Sequence, residues 1–421
     1  MKHFDRIDQE TLSIGSGRYF VGPNGAMYDL SDVHLLYSSV DTVRQLYSLS
    51  LNTDLIESWA QQLEDSPARD VVVNFVEREW LLRRGGRSGY AYLLQNIEYG
   101  VVLLVKSNYR KVEKQGSHFK IELSPKLISE HCPESLQIMM DDFAVAVSSD
   151  GEIDCSGVAV HLALDVQGWQ APEDLAERLV CRSRKVTDYS GFSSLSVDSG
   201  GIAAVYGKGQ SFCFGAANSL QFGVYNKTRE ILAHDKWDYF DTKWKERAPV
   251  DENFNTLYKD DVDVWRLEAR FAHSVVDQFA KTNDVKLKSY EAVVEHLGGL
   301  WRYALTNFRL NHSRDYVHPA WSLFMDDARF TPPADAFDYR RTYKTPGLGN
   351  EKNVTIALGN MLSIFARNKV STTKAWSFLK KSGIWADLMG YCRSRNITRS
   401  DLYESIEEGL QRRRLSSKVA S

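Results

Sequence analysis

The sequence predicts an α+β fold: a central antiparallel sheet with flanking helices, followed by a helical C-terminal domain. Two strand-like runs, VAVHLALDV at 158–166 and VWRLEARF at 264–271, alternate polar and apolar residues with a period of two. Segments with helical apolar spacing lie around them and dominate the chain beyond residue 353. A stretch at 331–350 holding Pro332, Pro333, Pro346, Gly347 and Gly349 separates the two regions. The 421 residues exceed one typical domain core, and 43% hydrophobic with 25% charged residues is ordinary for a chain that buries one.

Residues 1–64 mix short apolar runs with turn signals such as Gly22-Pro23-Asn24-Gly25 and are assigned to an N-terminal appendage. The main α+β domain is expected over 65–330. It opens with a short helix around 76–84 that runs into the loop Gly85-Gly86-Arg87-Ser88-Gly89. Val101–Lys106 and Phe119–Leu123 read as a hairpin, joined by a basic segment carrying Tyr109, Arg110, Lys111 and Lys114. Ser124-Pro125 opens one helix, and Glu134–Val147 forms a second. After the strand at 158–166 come a helix over Ala171–Arg182 and strands at Ile202–Tyr206, Ser211–Phe214, Leu220–Tyr225 and Val264–Phe271. Helical spacing returns over Lys288–Leu310.

Residues 331–350 are the expected linker, and 351–421 a helical region that binds DNA or a partner protein. Within it, Ser371 and Thr372 are N-cap candidates for a helix carrying Lys374, Lys380 and Lys381. A helix-turn-helix DNA reader and a pair of helices packed on themselves both fit this pattern. The basic tail at Arg412, Arg413 and Arg414 suits a solvated end more often than a binding site.

Composition excludes several classes. No run approaches the roughly 18 apolar residues of a membrane helix, and MKHFDRIDQE has no apolar signal core, so the expected location is the cytoplasm, that of the host cell if a phage encodes the protein. The 5 cysteines are scattered with no CxxC pair, which argues against a disulfide frame or a zinc site. A net charge of -3 gives no global attraction to nucleic acid, so any DNA contact must come from local clusters. No Walker motif is present, and Gly207-Lys208-Gly209 is too short to cradle phosphate.

Alternation along 158–166 places His161 and Asp165 on one strand face, and along 264–271 it places Arg266, Glu268 and Arg270 on one face. If the two faces meet, His161, Asp165 and Glu268 can hold one divalent ion, and the N/O donor set suits Mg or Mn. The alternative is a half-exposed sheet with ordinary charged residues outward. A third segment, around 214–227, puts Gln221, Gly223, Tyr225 and Lys227 on a common strand face. A phenol of ordinary pKa about 10 is a poor nucleophile, and Lys227 or a metal is placed to activate Tyr225 for attack on a DNA phosphate.

The order of these segments resembles the replication initiation factor family of rolling-circle plasmids and filamentous phages. That family shows a strand like RIDLAxD, then a G-x-x-x-S…R-x-Y-x-K segment, then a strand with R-x-E. Here they stand as HLALD at 161–165, as Gly215, Ser219, Tyr225 and Lys227, and as Arg266-Leu267-Glu268, over roughly residues 95–310. His161 replaces the family's first aspartate, and Gln221 or Gly223 its arginine. The resemblance implies a rolling-circle replication initiator that nicks and rejoins one DNA strand at an origin. It also implies Tyr225 as nucleophile, with Asp165 and Glu268 as metal ligands. Arg266 or Arg270 would take over the missing arginine's hold on phosphate.

DNA contacts are expected from Arg266, Arg270 and two basic clusters: Tyr109 with Arg110 and Lys111, and Arg182 with Arg184 and Lys185. Implied partners are single-stranded or origin-duplex DNA, a host helicase and polymerase, and a second copy of the chain; no membrane is implied. Two alternatives stay open: a non-catalytic DNA-binding regulator, and a metal-dependent nuclease that uses water in place of tyrosine.

Overall fold

A computed structural model describes residues 2–7, 18–85, 89–109, 112, 114–181, 186–188, 211–216, 218–234, 236–251, 253–342, 351–394 and 397–416. Strands β1 (Asp5–Ile7), β2 (Tyr19–Val21) and β3 (Met27–Asp29) form a small antiparallel sheet. The 16-residue strand β4 (His34–Leu49) follows, then helix α1 (Thr53–Asp65). Five strands then run up and down as β5 (Asp70–Phe75), β6 (Arg78–Arg84), β7 (Tyr90–Asn96), β8 (Val101–Ser107) and β9 (Gly116–Leu123). Helices α2 (Pro125–Glu130) and α3 (Pro133–Val147) lead to β10 (Asp154–Gln167). Next come α4 (Leu175–Arg178), β11 (Leu179–Cys181), β12 (Val186–Asp188), β13 (Ser211–Gly215) and β14 (Leu220–Asn226). Helices α5 (Lys227–Ala233) and α6 (Trp237–Arg247) precede β15 (Val264–Phe271). The elements α7 (His273–Thr282), α8 (Tyr290–Val294), α9 (Leu297–Asn307), β16 (Phe308–Leu310) and α10 (Pro319–Asp326) complete the first compact unit, Met1–Thr342.

Among the described residues, eleven strands make one antiparallel sheet in the order β12-β13-β14-β15-β10-β4-β9-β8-β7-β6-β5, with helices packed against it. The α+β fold with a central antiparallel sheet is therefore the observed one. Val158, Val160, Leu162, Leu164 and Val166 of β10 face the main core with Leu267, Ala269 and Phe271 of β15. Each fully buried Val, Leu or Phe adds roughly 1.5–3 kcal/mol to stability. A smaller apolar cluster holds Leu36, Ile231, Phe240, Trp244 and Val264, and Phe240 and Trp244 are the buried residues of α6. No helix among the described residues is long and apolar enough to cross a membrane.

Several local expectations need correction. The segment assigned to an N-terminal appendage contains β4, which pairs with β10 on one side and β9 on the other at the centre of the sheet. The helix expected around 76–84 is instead the β5–β6 hairpin. Trp80 and Leu82 alternate inward along β6, and Val76 and Glu77 take the positive φ values of 48° and 57° that a two-residue turn demands. The helix expected over Ala171–Arg182 shrinks to α4, because residues 179–181 pair with 308–310. The strand expected at Ile202–Tyr206 lies outside the described residues. Residues 331–342 of the expected linker dock on the first unit: the Thr282 hydroxyl donates to the Arg340 carbonyl at 2.9 Å, and the Asn283 amide donates to the Asp338 carbonyl at 2.9 Å.

The second unit, Tyr343–Ser421, contains helices α11 (Glu351–Arg367), α12 (Thr372–Lys381), α13 (Trp385–Ser394) and α14 (Arg399–Ser416). Its own core joins Leu362, Ala375, Leu379, Leu388, Cys392, Ile406 and Leu410. Ser371 caps α12, its side-chain oxygen accepting from the Lys374 amide.

Candidate functional site

Directly opposed residues of antiparallel strands share a sheet face. Register pairs His161 with Arg270, Ala163 with Glu268 and Asp165 with Arg266 across β10 and β15. It pairs Gln221 with Arg270, Gly223 with Glu268 and Tyr225 with Arg266 across β14 and β15. Three strands thus put their polar residues on one face. Gly215, the last residue of β13, has a φ of +95°, and a Cβ there would strike the Leu220 carbonyl oxygen.

The fourth strand adds a residue that alternation does not offer. In β4, Val43, Tyr47 and Leu49 face the core, and simple alternation would send Asp41 the same way. His161 lies opposite Thr42 and Leu162 opposite Val40, so Asp41 is the extra residue of a β-bulge. The bulge turns its carboxylate onto the polar face. There, ligand atoms of Asp41, His161 and Glu268 all lie within 4.8 Å of one another.

Two arginines, Arg266 buried and Arg270 half-buried, organise the carboxylates. Arg266 grips Asp165 with two bonds, Nε to Oδ1 at 2.6 Å and Nη2 to Oδ2 at 2.8 Å, and its Nη1 reaches Asp41. Trp244 Nε1 also donates to Asp165, at 2.8 Å. Arg270 binds Glu268 the same way, at 2.7 and 2.8 Å. Glu268 Oε1 lies 3.3 Å from His161 Nδ1, and Glu268 Oε2 accepts from the Tyr225 hydroxyl at 3.1 Å. Lys227 pairs with Glu230, and its ammonium sits 4.2 Å from the Phe240 ring centroid.

These groups line a cleft of about 660 Å³, whose walls also include Thr42, Arg44, Glu122 and Tyr239. Burial pushes the Tyr225 phenol well above its ordinary pKa of 10.0, and Glu268 adds to the shift. Burial lowers the His161 pKa, with Glu268 opposing, so the imidazole is neutral near pH 7 and has a lone pair to offer. Burial opposes ionisation of Glu268, but Arg270 and His161 outweigh it and hold the carboxyl well below its usual range. Burial and Arg266 lower the Lys227 pKa.

Tyr225, His161 and Glu268 meet as the sequence suggests. Asp165, held by Arg266 and Trp244, is not among the residues whose ligand atoms converge; Asp41 stands there in its place. Arg266 is 1% exposed and engaged with Asp165 and Asp41, whereas Arg270 is half-buried, lines the cleft and binds Glu268. Lys227 begins α5 instead of extending the strand, and it bonds to Glu230. Tyr109 is exposed, at 86%, whereas Arg110, Lys111, Arg182, Arg184 and Lys185 lie outside the described residues. Asp41 escapes sequence reasoning because a bulge breaks the period that would locate it.

The donor set of two carboxylates and one neutral imidazole fits a hard divalent cation such as Mg or Mn. No protein-family model matches the chain. It is 38% identical over 409 residues to "Uncharacterized protein ORF430" of Pseudomonas phage Pf1, covering 93% of this chain and 92% of that protein.

Proposed function

The chain belongs to the family of the Pseudomonas phage Pf1 protein ORF430, and on that premise we propose that it is a phage tyrosine nickase that starts rolling-circle replication by cutting and rejoining one DNA strand. The observation that carries this reading is the hydrogen bond from the Tyr225 hydroxyl to Glu268, inside a cleft where Glu268, His161 and Asp41 converge.

The phenolic oxygen of Tyr225 attacks a DNA phosphorus, forming one P–O bond as the bond to the 3′ oxygen breaks. The 5′ phosphate stays on the tyrosine, and the 3′ oxygen leaves as a hydroxyl. Attack of a 3′ hydroxyl on the phosphotyrosine reverses the step and rejoins the strand with no outside energy source. Glu268 accepts the phenolic hydrogen bond and aligns the hydroxyl for attack, and the phenolic proton passes to solvent as the P–O bond forms. Lys227, whose burial makes its ammonium a readier acid, is the proton donor to the leaving oxygen. A divalent cation held by Asp41, His161 and Glu268 would supply the positive charge that the phenol needs to ionise and that offsets the negative charge on the phosphate oxygens in the transition state. Asp165 and Arg266 serve by holding Asp41 in place.

The raised pKa of Tyr225 favours one second reading, a metal-dependent nuclease in which water attacks the phosphate. The deciding experiment incubates the protein with Mn²⁺ or Mg²⁺ and single-stranded oligonucleotides tiled across the replicon that encodes it. Denaturing gels then reveal protein-bound DNA. An adduct that disappears with Tyr225→Phe supports the nickase. Cleavage without an adduct moves the assignment to the water-based nuclease, and sequence-specific binding without cleavage moves it to a regulator.

A further inference from the structure

The cleft has a second wall that the chemistry above does not use. The turn after β7 puts Ile97 on its rim with 81% of its surface exposed. The starts of α2 and α6 bring Lys126 and Lys236, both exposed, together with Tyr239 and Phe240. Tyr239 is held: its hydroxyl lies 3.3 Å from Ser129 Oγ, and its ring meets Phe240 edge-on with centroids 5.0 Å apart at 82°. Tyr239 and the exposed Ile97 line the same cleft as the exposed Lys126 and Lys236, and together they provide the two things unpaired nucleotides need, a stacking surface and countercharge for phosphate. The cleft volume of about 660 Å³ is in the range that accommodates a small ligand.

We infer that this wall is a base-stacking site for single-stranded nucleic acid. Tyr239 takes one base beside the scissile phosphate, and Lys126 and Lys236 hold the flanking backbone. The inference rests on the nickase reading for its substrate but assigns residues which that reading does not need. Asp238 lines the same cleft and opposes the phosphates, so its charge limits affinity.

The test is fluorescence anisotropy with the full chain, a labelled mixed-sequence single-stranded oligonucleotide and excess EDTA, so that binding is read without cleavage. Tyr239→Ala should weaken binding about tenfold, as stacking of one base implies, while Tyr239→Phe should keep it. Removing either lysine should reduce the slope of log affinity against log salt by about 0.7. Asp238→Asn should tighten binding. Because Lys126, Lys236 and Asp238 are exposed, their variants report binding even if Tyr239→Ala fails to fold. Wild-type affinity in Tyr239→Ala, an unchanged salt slope in both lysine variants, or equal affinity for duplex would overturn the inference. If adducts on Tyr225 still form in that case, the nickase reading stands alone; if the wild-type chain binds no oligonucleotide, both fall.

Discussion

Arg266→Met removes the guanidinium that joins β15 to β10 and β4 while keeping most of its volume. In the native protein Arg266 is 1% exposed and makes two bonds to Asp165, itself 0% exposed, and one to Asp41. Breaking a buried pair by deleting one partner costs about 3–5 kcal/mol, because the remaining charge is left without compensation. Trp244 Nε1 still donates to Asp165, which puts the expected loss near the lower bound, about 3 kcal/mol. Adding Asp165→Asn to the variant removes the stranded charge and should restore more than half of that loss. Acid gives an independent check on sign. In Arg266→Met the buried carboxylate can neutralise itself by taking up a proton, so the penalty should shrink as pH falls from about 7 to about 4. Urea unfolding of the full chain, followed by far-UV circular dichroism at both pH values, measures these differences. A loss under about 1 kcal/mol at pH 7, or a penalty that grows on acidification, would refute the view that Arg266 neutralises the buried carboxylates.

Three further outcomes are expected. Asp41→Asn should weaken Mn²⁺ binding, read by electron paramagnetic resonance of the free ion, by at least about tenfold; unchanged affinity would remove Asp41 from the ligand set. His318 caps α10 through Nδ1, and burial, with help from Arg178 and His312, pushes its pKa from 6.5 down to about 4. The unfolded chain therefore binds a proton that the folded chain refuses, so this histidine's contribution to stability is present above about 6.5 and is lost as pH falls toward about 4. His318→Asn keeps a capping side chain and should flatten that part of the stability profile; an unchanged slope would contradict the assignment. Gly298 of α9 lies so close to the Thr331 carbonyl that a Cβ would collide with it. Gly298→Ala should loosen residues 331–342 and open them to limited proteolysis, and equal protease resistance would show that the segment docks without this contact.

How much was legible followed how regular the local structure is. The strands at 158–166 and 264–271 keep strict alternation, so His161, Glu268 and Arg266 could be placed on one face before any coordinates. Alternation identifies a shared face but not which partner a carboxylate takes. Asp165 looked like a ligand because nothing in its own strand reveals that Arg266 and Trp244 would claim it. Asp41 was hidden twice, by a bulge and by its place in a segment with no motif. The β5–β6 hairpin was misread because its turn residues, Val76 and Glu77, are not the usual Asn and Gly of such turns.

The central position of β4 also constrains how the protein is made. Once its residues leave the ribosome, β9 can cover one edge as soon as residue 123 is synthesised. The other edge must wait for β10, which ends at residue 167. At about 5–20 residues per second, synthesis of residues 50–167 takes roughly 6 to 24 s. During that interval a nascent chain carries an unpaired 16-residue edge bearing Val43, Tyr47 and Leu49. Neighbouring chains on one polysome could pair through it, so slow translation or crowded expression should favour aggregation before the candidate site has even been assembled.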